Sequence, residues 1–221
     1  MQRVPESELM DDEEHARAYA NADFEAPHSR YVTLFERYFR VHEITGTILD
    51  LGCGPGDVTF RFARRFREAY VVGVDGSNPM ICIADGLRVR DEDLARRIRF
   101  VCGMLPGIAL PPGPYGAILC TNLLHHLHRP RILWSAIANL ATPGTMVFVA
   151  DLFRPASEED ARRLVDTYAA NEPEALRSDF FHSLLAAFEP AEIADQLRLA
   201  GLDYLTVHIV SDRHVVVSGR A

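Results

Sequence analysis

Residues 47–75 read TILDLGCGPGDVTFRFARRFREAYVVGVD, and this stretch decides the fold. TILDL is an apolar, β-rich run with Asp50 near its end, and glycines follow at positions 52, 54 and 56. Glycine lets the backbone turn tightly and lets a ligand approach where a Cβ would collide. Asp57 opens a stretch of helical length, 57–69, after which YVVGVD ends on Asp75. Strand, glycine turn, helix, strand is the repeating unit of a parallel sheet with crossover helices.

Outward from that unit the pattern repeats. IRFVCG (98–103), YGAILCTN (115–122) and GTMVFVADL (144–152) are nearly continuous in apolar residues, as strands buried on both faces are. Segments 77–96 and 130–140 between them have helical length. DYLTVHIV (203–210) and HVVVSGR (214–220) are joined only by SDR, too short for a parallel crossover but right for a hairpin. The expectation is a doubly wound α/β fold of seven strands with an antiparallel last strand. Helices over 8–22 and 29–41 precede the sheet.

The chain divides, within one domain (1–221), into an N-terminal helical cap (1–46), a ligand-binding core (47–153), a helical region (154–202) and the terminal hairpin (203–221). The helical region is punctuated by Pro173 and Pro190. It follows the C-terminal end of a strand, where lids and substrate walls are built, so it is expected to form a lid over the site.

Composition removes several functions. The 221 residues, 48% of them hydrophobic, suit one soluble domain, given roughly 100–200 residues per domain. All 23 basic residues are Arg, with no Lys. That excludes a Schiff-base lysine and the phosphate-cradling Lys of a Walker A loop. A net charge of −8 sets up no field to gather polyanions, so nucleic acid is not an expected partner. Cys53, Cys82, Cys102 and Cys120 are scattered with no C-x-x-C pair. The acidic N-terminus lacks the apolar stretch of a signal peptide, and no run approaches a membrane span. The expected setting is the cytoplasm, without a membrane partner.

An acid about twenty residues after a glycine turn is the usual partner of ribose hydroxyls, and Asp75 holds that place. Turn and acid together indicate an adenosine-containing ligand. A dinucleotide fold uses G-x-G-x-x-G with the pyrophosphate at a helix N-terminus. Here the spacing is G-x-G-x-G, and Asp57 stands where the third glycine would be. An acid there repels a diphosphate but suits S-adenosylmethionine, a cation without phosphate.

ILDLGCGPG, VVGVD, YGAILCTNLLHHL and LATPGTMVFVADLFRP resemble the successive motifs of class I S-adenosylmethionine-dependent methyltransferases. The likeness is to the small-molecule branch similar to ubiquinone and menaquinone biosynthesis methylases, and it runs from Ile48 through Arg154. It implies a Rossmann-like sheet and methyl transfer to a small-molecule acceptor. It implies that Asp50, Gly52 and Gly54 hold the methionine end of the cofactor and that Asp75 takes the ribose. Gly76 and Met80 would lie along ribose and adenine, Asn122 near the sulfonium, and Tyr19 over the cofactor. Where the family shows Gly-Asp after the third strand, this chain reads Gly103-Met104. Adenine recognition then falls to apolar contact and backbone groups near Met104 and Leu105.

Methyl transfer needs a base only when the acceptor must lose a proton. His126, Asp151 and His182 are the expected candidates, with His28 a further one near the mouth. His125, His126 and His128 lack H-x-x-x-H spacing, and adjacent residues after a strand are expected to point apart, so no metal is expected. Two other readings of the same motifs are an NAD-dependent oxidoreductase and a non-catalytic S-adenosylmethionine-binding regulator.

Overall fold

A computed structural model describes residues 1–221. At its centre β1 (Gly46–Leu51) and β2 (Ala69–Asp75) flank the glycine turn and pair in parallel, Asp50 beside Gly73. β3 (Ile98–Cys102), β4 (Tyr115–Thr121) and β5 (Met146–Leu152) extend the parallel sheet. β6 (Thr206–Ile209) and β7 (His214–Arg220) form the expected hairpin, and β7 runs antiparallel to β5. The strand order is β3-β2-β1-β4-β5-β7-β6. The order reverses between β1 and β4, and beyond the carboxyl ends of strands at such a switch point ligands bind.

Successive strand residues face opposite layers. Ile48, Leu119 and Phe148 join one core with α2 (Glu25–Phe39), α3 (Asp57–Arg65) and α4 (Asn78–Arg88). Leu49, Ile118 and Val149 join the other with α6 (Arg131–Leu140) and α9 (Pro190–Leu199). Phe35 of α2 is fully buried among Phe62, Phe66 and Phe148. Truncating such a phenylalanine to Ala costs about 3–5 kcal/mol, so α2 is an integral part of the core.

Element boundaries differ from expectation for local reasons. The helix expected over 8–22 is α1 (Glu13–Asn21), because Asp12 caps its amide end at His15; residues 1–12 run without helix. The helix expected over 77–96 is two, α4 and α5 (Glu92–Arg97), because the Asp91 side chain accepts from Asp93 N and Leu94 N and starts a new helix. Region 154–202 folds as α7 (Glu158–Tyr168), α8 (Glu174–Ala186) and α9. α7 and α8 close on each other and on Leu152. No helix is long and apolar enough to cross a membrane.

Candidate active site

A cavity of about 440 Å³ lies at the carboxyl ends of β1, β2 and β4, within the range of ligand sites. The glycine turn forms one side of it. Gly54 has a left-handed φ of +53°, and a Cβ there would meet nothing within 4 Å. Its amide donates to Asp75 Oδ2 at 2.8 Å, and Ser77 N donates to Asp75 Oδ1 at 2.8 Å. A carboxylate offers about four lone-pair sites, so Asp75 keeps acceptor capacity toward the cavity. Burial raises its pKa, against the pull of those amides. Ser77 caps α4 at Met80, which is buried and lines the cavity.

Asp50 sits away from the wall. It is fully buried; its Oδ2 accepts from Thr59 Oγ1 at 2.6 Å, and its Oδ1 has no partner. Burial pushes its pKa up to about 6. Gly52, Gly76, Gly103, Met104, Leu105, Asn122 and Tyr19 all line the cavity. Burial pushes the Tyr19 phenol up to about 12. Asn122 takes a left-handed φ of +53° at the end of β4, and its Oδ1 accepts from Tyr31 Oη at 2.9 Å.

The candidate bases fare differently. His126 lines the cavity, but its Nδ1 bonds Ser7 O at 3.1 Å. Burial and the neighbouring His125 push its pKa down to about 3, which makes it a weak base. Asp151 does not face the cavity mouth and does not pair with Arg154. It is buried, and its carboxylate accepts from His125 Nδ1 at 2.5 Å and from Leu152 N at 2.6 Å. Arg154 instead reaches Glu189 and Glu192. His182, on α8, lies outside the cavity with Nδ1 on Ser178 O at 2.8 Å.

No residue of 154–202 lines the cavity. The covering comes from the other end of the chain: a strap before α1, then α1 and the start of α2. Glu8, Leu9 and Met10 line the cavity, and Met10 O accepts from Ser77 Oγ at 2.7 Å. The strap is anchored by Arg3, whose guanidinium donates to His125 O at 2.7 Å and Leu127 O at 3.1 Å and lies over the Phe188 ring. Phe180 and Phe181 pack against the α7–α8 cluster rather than the cavity.

The rings of His125 and His126 do not point apart; their centroids are 4.2 Å from each other on a single 3-10 turn, Leu124–His126. Glu6 of the strap joins them, 3.5 Å from His125 Nε2 and 3.4 Å from His126 Nδ1. Asp151 on one side and Glu6 on the other raise the His125 pKa against the effect of burial. The ligand atoms of Glu6, His125 and His126 all lie within 4.8 Å of one another, a grouping that could hold a metal ion and that the spacing of the histidines in the sequence did not lead one to expect.

Two cavity features were hidden in the sequence. His28 of α2 bonds Asp57 Oδ2 of α3 through Nδ1 at 2.7 Å, and both residues line the cavity. They are 29 positions apart, and only the packing of α2 on α3 unites them. The strap carries no periodicity that would announce its course.

A methyltransferase-domain family model matches residues 48–144. An uncharacterized methyltransferase of Mycobacterium tuberculosis is 26% identical over 154 residues, covering 70% of this chain and 75% of the relative. A ubiquinone biosynthesis O-methyltransferase of Xylella fastidiosa is 31% identical over 157 residues, covering 70% of this chain and 60% of that one. Among solved structures, the plantazolicin methyltransferase BpumL, in complex with a triazolic desmethylPZN analog and S-adenosylhomocysteine, matches with a TM-score of 0.69 at 14% identity. That match covers 95% of this chain and 92% of BpumL, and at such identity it carries the fold alone.

Proposed function

Since the chain belongs to the class I S-adenosylmethionine-dependent methyltransferases, we propose that its cavity takes S-adenosylmethionine and delivers the methyl group to a small-molecule acceptor. The observation that carries this reading is the bond from Gly54 N to Asp75 Oδ2. It ties the open glycine turn to the acid expected to receive ribose hydroxyls.

The donor set fits the cofactor. The acids lining the cavity are Glu8, Asp23, Glu25, Asp57 and Asp75; the one basic side chain is Arg61, already paired with Glu25 and Asp57. A cationic ligand is attracted to such a wall, whereas a pyrophosphate would meet Asp57 in the first turn of α3. This favours S-adenosylmethionine over NAD. In this reading Asp75 binds the ribose, and Gly52 and Gly54 admit the methionine end. Gly76, Met80, Gly103, Met104 and Leu105 border the adenosine, and Asn122 borders the sulfonium. The buried Asp50, with an unpartnered oxygen, holds negative charge behind the turn.

The cofactor when bound supplies an activated methyl group, so the protein's task is to position an acceptor in line with it and exclude water. Cover by the strap, α1 and α2 supports a small acceptor rather than a nucleic acid. Four free cysteines, two of them buried, accord with the cytoplasm. Calorimetric titration with S-adenosylhomocysteine, with NADH in parallel, tests the reading. Micromolar binding of the first alone is expected; binding of NADH alone would overturn it.

A further inference from the structure

We propose that His28, braced by Asp57, is the general base of the reaction and that the acceptor is an uncharged hydroxyl or thiol carried on a flat ring. The inference rests on the methyl-transfer reading above and specifies its substrate class.

The geometry begins with the His28–Asp57 bond. In the neutral ring, Nδ1–H donates to Asp57 Oδ2, and Nε2 is left with its lone pair. A base oriented by a third group is the arrangement that proton-abstracting sites share. Nε2 is met by Asn122 Nδ2 at 3.4 Å, the long end of hydrogen-bond distances, so an incoming hydroxyl can displace it. Phe24 stacks on the His28 ring at 5.0 Å and Tyr31 at 5.7 Å. The ring is thus held in one orientation before any acceptor arrives. His28 is bonded firmly at Nδ1 and loosely at Nε2.

The charged and titratable groups around His28 are few. Asp57 and Arg61 face it from α3, Glu25 and Tyr31 share its helix, Tyr19 comes from α1, and His214 of β7 stands edge-on beyond Tyr31. Against the cost of burial, hydrogen bonds from His28 and Arg61 hold the Asp57 carboxyl below the usual range. Other candidate bases are disabled. His126 is pushed down to about 3, and burial together with Arg213 pushes His214 down to about 4. Tyr19 at about 12 stays protonated.

Charge selects the acceptor. Arg61, the one cation lining the cavity, gives its guanidinium to Asp57, Glu25 and Ser29. With no Lys in the chain, the wall offers no free cation to a phosphate, sulfate or carboxylate. An anion there would face five acids and one guanidinium already paired with two of them, and like-charge juxtaposition is strongly unfavourable. Phe24 stacked on His28, with the tilted Tyr19 ring beside it, gives one side of the cavity an aromatic surface suited to a planar acceptor.

The step balances. As the acceptor oxygen or sulfur bonds to the methyl carbon, its proton passes to His28 Nε2. The S–C bond breaks with its electron pair on the cofactor sulfur, and the imidazolium formed beside Asp57 later returns the proton to water.

The test measures S-adenosylhomocysteine formed by wild type, His28→Ala, His28→Gln and Asp57→Asn. Two acceptor panels are used, one of neutral phenols, catechols and aryl thiols and one of phosphorylated or carboxylated amines. Calorimetry with S-adenosylhomocysteine runs alongside. Turnover is expected with the neutral panel. Both His28 variants should lose about 10²–10⁴-fold in kcat while keeping cofactor affinity. The loss should shrink toward nothing for a nitrophenol above its own pKa, where no proton remains to be removed; a structural role would not produce that pattern. Without any acceptor, a long-range ¹H–¹⁵N spectrum should show His28 as the Nδ1–H tautomer, and Asp57→Asn should mix the two tautomers. Unchanged rates in both His28 variants, or turnover of charged acceptors only, would overturn the assignment. So would no turnover of the neutral panel by a protein that binds S-adenosylhomocysteine. Failure of wild type to bind S-adenosylhomocysteine would overturn the cofactor reading and take the base with it.

Discussion

His125 Nδ1 stands 2.5 Å from Asp151 Oδ1, with both side chains almost wholly shut from solvent. The bond joins the turn after β4 to the end of β5. Breaking such a buried pair from one side costs about 3–5 kcal/mol, because the remaining charge is left uncompensated. Its pH dependence has two edges. The His125 pKa is raised above its unfolded value despite burial, so its contribution is full below about 6.5 and fades as pH rises through the folded pKa. The Asp151 pKa is lowered despite burial, so its contribution is full above about 3.9 and fades as pH falls through the folded pKa. Urea unfolding of wild type and His125→Gln should differ most between those edges and converge outside them.

Asp50 predicts the opposite sign. Its folded pKa of about 6 lies above the unfolded value, so the native state binds the extra proton. Stability therefore falls as pH rises from about 4 to about 6. Asp50→Asn should remove that slope and raise stability at neutral pH by up to about 3 kcal/mol. Calorimetry on the same variant asks whether the charge behind the turn serves the cofactor: a weakened S-adenosylhomocysteine complex in a stabilised protein is expected.

Gly52 and Gly54 should separate folding from binding. A Cβ at Gly52 would lie 2.8 Å from Leu123 Cβ, whereas one at Gly54 would project into open space. Gly52→Ala is expected to lower stability by about 2–4 kcal/mol through left-handed strain and overpacking. Gly54→Ala should lose only about 1–2 kcal/mol, from strain alone, yet weaken S-adenosylhomocysteine at least about tenfold, a 1.4 kcal/mol effect. Denaturation midpoints and titration of both proteins read the difference.

Arg3→Ala should loosen the strap. It removes the charge-assisted bonds to His125 O and Leu127 O and the contact over Phe188. A loss of about 2–3 kcal/mol is expected, with a thermal midpoint lower by several degrees. Because Leu9 and Met10 border Gly76 and Ser77, S-adenosylhomocysteine should also dissociate faster, which stopped-flow displacement measures.

The sheet was legible because its information is local. The apolar runs, the glycine turn and the three-residue SDR link each constrain their own neighbourhood, and strand order follows from crossovers and a hairpin. The turn and Asp75 were legible for the same reason. Asp151 and His182 lie off the cavity, because position at a strand end or on a helix does not say where a side chain points. Asp151 turns to His125, and His182 turns back to Ser178. Region 154–202 was read correctly as helical, but composition does not reveal where such helices dock. α7 and α8 turn their apolar faces to each other and Leu152, and α9 packs into the core beside α6, instead of covering the cavity. His28 and Asp57 carry no joint signature along the chain.

The strap's anchorage also bears on the order of assembly. Arg3 and Val4 bond main-chain oxygens of Ala186 and Leu185, so the strap must wait for a partner segment made 183 residues later. Ribosomal synthesis adds about 5–20 residues per second, which leaves the strap without its berth for roughly 9–36 seconds at that pace. Closing so long a loop is entropically unfavourable, and contacts at such separation form slowly. The parallel strands β1 to β5 and the glycine turn can thus assemble while the strap is still undocked, and a ligand-competent enclosure is a late product of biosynthesis.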